Sequence, residues 1–220
     1  MTKPTTPHHT AQTASSHGAH PPAPDTSHHG THPPASDTSS HGSPDTSSHG
    51  VPATSRNPVT TLTIRTKLII KELEALINKG NAHASFEEAV RGISLHLLGA
   101  VPNDVPYSIW QLVEHIRIAQ WDILEFSRNP NHQSPKWPDD YWPKERKPSD
   151  SKAWKKSLDQ IASDRKAFTT LLHEAGEELY TPFPYGNGQS LLREALLIAD
   201  HTSYHTGEII LLRRILEDWK

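Results

Sequence analysis

The chain has 220 residues, a formal net charge of −3 and no cysteine. The missing thiols exclude disulfides, zinc–thiolate sites and a cysteine nucleophile together, so any metal must rest on His, Asp or Glu. The small acidic balance, without a Lys/Arg cluster interleaved with aromatics, counts against nucleic acid, and no apolar run is long enough to span a membrane.

Residues 1–57 are rich in Pro, Ser, Thr, Gly and His and nearly devoid of Leu, Ile, Phe and Trp. Such a segment has too little apolar surface to offset the entropy of ordering its backbone. A degenerate repeat runs through it: Pro24 to Gly30, Ser36 to Gly42 and Pro44 to Gly50 each contain Asp-Thr-Ser and end on His-Gly. The units are too short and polar to stack into a solenoid. We expect a disordered low-complexity tail over 1–57 and one helical domain over 58–220. Nine of the sixteen histidines lie in the tail. They read either as a loose metal-scavenging arm or as an unselected extension. The N-terminus carries no apolar secretion signal, which makes the cytoplasm the expected compartment.

Helical periodicity starts near Thr63 and runs to Lys79, with Ile64, Leu68, Leu73, Leu76 and Ile77 as its apolar stripe and Gly80 placed for a left-handed cap. Ser85 to Glu88 has the form of a capping box, predicting a short extra helix to about Ile93. Residues 99–106 read as a loop. Ser108 to Gln111 is a second capping box, opening a helix over 108–127 with Ile109, Leu112, Val113, Ile116, Ala119, Ile123 and Phe126 on one side.

A connection over 128–148 follows, with five prolines and the aromatics Trp137, Tyr141 and Trp142. Connections of this length are uncommon in compact domains. This one reads either as a crossover strap pinned by its rings or as a substrate lid. Ser149 or Asp150 can cap the next helix, whose seam is Trp154, Leu158, Ile161, Arg165, Phe168, Leu172, Ala175 and Leu179. Arg165 interrupts that seam. Its stem is expected to pack while its head reaches water, with an anionic substrate or a carboxylate behind the metal ligands as the alternative. After Asn187-Gly188, the residues Leu191, Ala195, Ile198, Thr202, His205, Ile209, Leu212 and Leu216 define the last helix. The expected fold is all-α: four main helices in a bundle, with no segment alternating at period two.

His201 and His205 stand four apart on that last helix. This spacing puts two imidazoles on one face with Cβ atoms ~6 Å apart, within reach of one ion. His205 falls on the apolar seam, where an unsatisfied ring would cost free energy. The spacing alone is equally met by a solvated or hydrogen-bonded pair. His115, beside the seam of the second main helix, supplies a third imidazole from a facing helix, as interior metal sites of bundles require. By itself it also fits a core histidine. His83, His96, His132 and His173 sit in loops or near helix ends and are weaker candidates. Asp122, Asp200, Tyr204 and Glu208 lie close enough to support the ligands or to act as bases. Trp110, Trp121, Tyr204 and the 128–148 connection are candidate pocket walls. Three neutral nitrogen ligands leave positions open for water or substrate, the arrangement of a catalytic site.

The stretch Tyr107 to Ile116, a Pro/Trp-rich loop, and then Ala199 to Glu208 together resemble the DinB-like (YfiT) superfamily over about residues 60–218. The resemblance implies a four-helix bundle with a three-histidine metal site, whose positions fall on His115, His201 and His205. It implies a zinc, nickel, manganese or iron cofactor, frequent homodimers, and relatives that include metal-dependent transferases using low-molecular-weight thiols. The tail is outside that pattern. Three functions compete: an enzyme using a small thiol or water against an electrophilic small molecule, a metal-binding or stress-response protein without turnover, and a helical protein whose histidines are core residues.

Overall fold

The structure is a computed structural model that describes residues 58–102 and 105–219, with side chains from Thr63 onward. The expected disordered tail over 1–57, and Asn103 and Asp104 of the expected loop, lie outside the described residues. Five α-helices occur among them: α1 (Pro58–Lys79), α2 (Phe86–Val90), α3 (Ile109–Arg128), α4 (Ser151–Ala175) and α5 (Leu191–Ile215). Short 3₁₀ turns cover Asp139–Tyr141 and Gly176–Tyr180. No strand forms among the described residues; a single bridge joins Pro182 to Ser190.

Most helix ends follow local chemistry visible in the sequence. Ser85 and Ser108 each close a capping box, with Glu88 and Gln111 returning the bond, and Asp150 rather than Ser149 caps α4. Gly80 takes φ +66, the left-handed conformation that ends α1 at no Cβ penalty. Two boundaries differ from expectation. Helix α1 starts at Pro58, a residue suited to a first turn, and α2 stops at Val90 instead of Ile93.

The apolar stripe of α1 is only partly the expected one, with Leu73 and Ile77 buried as expected. Thr66, Ile70, Leu73 and Ile77 face the core, whereas Ile64, Leu68 and Leu76 are exposed. Both lines recur at helical spacing, so periodicity alone could not choose between them.

Helices α3 and α4 run in the same direction. Trp110 lies beside Trp154, and further along Gln120 donates its amide to the Ile161 carbonyl. A same-direction pair needs a long crossover, which is the physical reason for the 129–150 connection. Helix α5 runs the other way: its C-terminal Ile209 and Leu212 pack with Ile109 to Ile116 at the start of α3, and its N-terminal Leu191 to Ala199 with Ile123 and Leu124.

Between those two apolar clusters the helices bury polar side chains instead. Gln120 on α3, Asp164 and Arg165 on α4, and Thr202, His205 and Thr206 on α5 are all buried. A polar band through a small bundle costs stability unless its groups are partnered or serve a site. Arg165 corrects the expectation set for it. Its head does not reach water; it is 4 % exposed, lies 5.6 Å from the Phe86 ring centre and donates from Nη1 to Glu87 Oε1 at 2.6 Å. Its anionic partner is thus a carboxylate of α2.

Candidate metal centre

His115 comes from the second turn of α3 and His201 and His205 from the middle of α5, so the antiparallel packing of α3 on α5 decides whether they meet. They do. Ring centroids are 4.8 Å apart for His115 with His201, 4.8 Å for His115 with His205, and 4.5 Å for His201 with His205. One ligand nitrogen from each ring lies within 4.8 Å of the other two, and the three form a group that could hold a metal ion. His115 and His205 are each 1 % exposed, and His201 is half-buried, so the group opens on the His201 side.

The outer nitrogens of two rings are already committed. His115 Nδ1 donates to the Tyr141 carbonyl at 2.9 Å; a carbonyl only accepts, so the proton sits on Nδ1 and the Nε2 lone pair turns inward. His205 Nδ1 meets Glu208 Oε2 at 2.6 Å, a carboxylate behind an imidazole that fixes the ring's orientation. His115 Nε2 and His201 Nε2 face one another at 3.0 Å.

These dimensions fit a divalent ion. With metal–nitrogen bonds of about 2.0–2.1 Å, two nitrogens at right angles on one ion are about 2.9 Å apart and two opposed ones about 4.2 Å. The His115–His201 pair meets the first figure, and the widest separation within the group, up to 4.8 Å, would have to shorten on loading. All three donors are neutral, so an ion there would keep its full double charge and favour an anionic fourth ligand.

The 129–150 connection covers the site and is pinned as a strap. It runs antiparallel to α3, which holds it along one face: Ser108 Oγ donates to the Arg146 carbonyl at 2.6 Å, Gln111 Nε2 to the Pro143 carbonyl at 3.1 Å, and His115 to Tyr141. Further along, Asp122 accepts from the Tyr141 hydroxyl at 2.5 Å and from His132 Nε2 at 2.7 Å. Burial first, and the Asp122 carboxylate next, push the Tyr141 hydroxyl's pKa far above its ordinary value, so it remains a donor. Trp142 is sandwiched between His115 and Tyr107, with ring centroids 3.9 Å away on each side.

Of the candidate supporting residues, Glu208 touches one of the three histidines, His205, directly. Tyr204 sets its ring edge-on to His205 at 5.0 Å and is half exposed, and the Glu208 charge, with lesser help from burial, raises its hydroxyl pKa. Asp122 reaches the site through Tyr141, and Asp200 is exposed. His83, His96, His132 and His173 are outside the group. His173 pairs with Glu74, His83 with Ser203, and His132 with Asp122. Trp110 and Trp121 line a different space, a cleft of about 690 Å³ between α3 and α4 that also takes in Glu114, Arg117 and Lys156. The wall residues near the triad are instead Trp137 and Trp142 of the strap and Tyr204. The His132–Asp122 and Tyr141–His115 contacts had no signal in the sequence, because each joins a loop of irregular backbone to a helix.

Searches of curated proteins and of solved structures return no match. A profile of the DinB superfamily matches residues 81–209, a span that contains α2, α3, the strap, α4 and all three histidines. That span covers more than half of the chain, and the all-helical fold agrees with it. The chain belongs to the DinB superfamily.

Proposed function

We propose that this protein is a metal-dependent enzyme in which His115, His201 and His205 hold one divalent ion, and that it transfers a low-molecular-weight thiol, or water, onto an electrophilic small molecule. The observation that carries the reading is the convergence of three neutral imidazoles from two helices, two of them with their outer nitrogens tied to Tyr141 and Glu208. A bound ion supplies Lewis acidity and lowers the pKa of a thiol or water beside it. The residues do the rest. Tyr141 and Glu208 hold the rings in the tautomer that ligation needs. Trp142 and Trp137 cover the His115 side and exclude bulk water, leaving the half-buried His201 side as the way in. In thiol transfer the sulfur forms a bond to the electrophilic carbon, the leaving group departs with its electron pair, and the thiol proton goes to solvent or to a base at the rim. No cysteine is available, so the thiol must be brought in.

The ion is zinc, nickel, manganese or iron, the choice following cellular supply, because an all-nitrogen site ranks these metals only by general affinity. No helix among the described residues is long and apolar enough to cross a membrane. The second reading, a metal-binding protein without turnover, draws on the nine tail histidines. Conjugation of an aryl halide with several cellular thiols, followed with and without added metal, separates the two. The enzyme reading expects a rate that needs metal and is lost in His205→Ala. A chain that binds metal yet shows no metal-dependent rate with any thiol or with water is the non-catalytic protein.

A further inference from the structure

Asp122 follows His115 by seven residues, so the two lie on the same face of α3 about 10.5 Å apart along the axis. Tyr141 spans that gap. Its carbonyl takes the Nδ1 proton of His115 at 2.9 Å, and its hydroxyl donates to Asp122 Oδ2 at 2.5 Å. The other carboxylate oxygen of Asp122 accepts from His132 Nε2 at 2.7 Å. One side chain of α3 therefore grips the strap near its start and again at the residue that orients a ligand. Asp122 is fully buried and Tyr141 is 5 % exposed, so neither bond competes with water. A buried carboxylate is costly unless hydrogen-bonded, and here it orders the two groups that satisfy it.

We propose that Asp122 is a positioning residue for the metal centre, clamping the strap so that the Tyr141 carbonyl keeps the proton on His115 Nδ1 and Nε2 available for ligation. The inference rests on the reading of the triad as a metal site, but its structural half stands without an ion. Other contacts hold this part of the strap too, with the Tyr141 amide on the Pro138 carbonyl and Trp142 stacked on His115, but the ties from α3 through Pro143 and Arg146 lie on the far side of His115, and Asp122 reaches Tyr141 from the opposite side.

The test uses the full chain and two mild variants. Tyr141→Phe deletes only the hydroxyl and keeps the ring and the carbonyl. Asp122→Asn keeps the shape but cannot accept at both positions. Zinc affinity is measured by chelator competition, and the His115 tautomer by nitrogen NMR on metal-free protein. Each variant is expected to weaken zinc binding about 10–100-fold, as loss of a ligand's supporting partner does. Each should also reduce the share of His115 protonated on Nδ1, which a purely structural role would leave alone. The double variant should be no weaker than the worse single one, because both act through one link. Unchanged affinity and tautomer in Tyr141→Phe, or losses that simply add in the double variant, overturn the proposal. If the parent binds none of zinc, nickel, manganese or iron but the tautomer still shifts in both variants, the clamp stands and the metal reading fails.

Discussion

The indole of Trp142 lies flat on the imidazole of His115, with ring planes 4° from parallel. Its other face rests on Tyr107, so the ring that orients the ligand is itself held on both sides. Trp142→Ala removes this backing. An aromatic stack adds about 0.5–1.5 kcal/mol beyond burial, so metal affinity should fall by up to roughly tenfold, with Trp142→Phe in between. Chelator competition on the three proteins checks the order; equal affinities would remove the stack from the account.

Two glycines should respond to alanine in opposite directions. A Cβ on Gly99 would stand 2.6 Å from the Cβ of Lys147, which its backbone holds in place, so Gly99→Ala must push the α2–α3 connection off the end of the strap. Overpacking of this kind costs about 1–3 kcal/mol. Gly207, inside α5, has open space around the same position. Gly207→Ala should raise stability by about 0.5–1 kcal/mol. Urea denaturation of both variants reads the two signs.

Asp164 makes a pH-dependent contribution. Burial raises its pKa, the bond from Gln160 only partly opposing it, and its Oδ2 is buried with no hydrogen-bond partner among the described residues. A carboxyl whose folded pKa exceeds its unfolded value stabilises below the unfolded value, and that contribution is lost as pH rises through the folded one. At neutral pH the charge is therefore a burden. Asp164→Asn, which can still accept from Gln160, should be more stable than the parent at neutral pH. The advantage should shrink as the pH falls toward the ordinary carboxylate range, as paired urea titrations at several pH values would show.

Much of the architecture was legible because the helices carry their own signals. Ser85, Ser108 and Gly80 sit at their expected caps, and the α5 seam from Leu191 to Leu212 is buried as its spacing implies. The three histidines were legible for the same reason: i,i+4 spacing fixes His201 against His205, and helix phase turns His115 toward them. What the pattern left open was decided by tertiary contacts. Which of two stripes of α1 faces inward depends on the neighbours it packs against. Whether the strap was pinned depended on Asp122, Gln111 and Ser108, each an ordinary polar helix residue until the strap lies along it. Arg165 found Glu87, 78 residues away, a pairing no local rule encodes.

The central claim is that three imidazoles share one ion. Metal analysis of the full chain, dialysed against a weak chelator that strips metal from single histidines, tests it most directly when His115→Ala, His205→Ala and His173→Ala are measured alongside. The account predicts one retained equivalent in the parent and in His173→Ala, lost in the other two. Equal retention in all four proteins, or none in the parent, would contradict it.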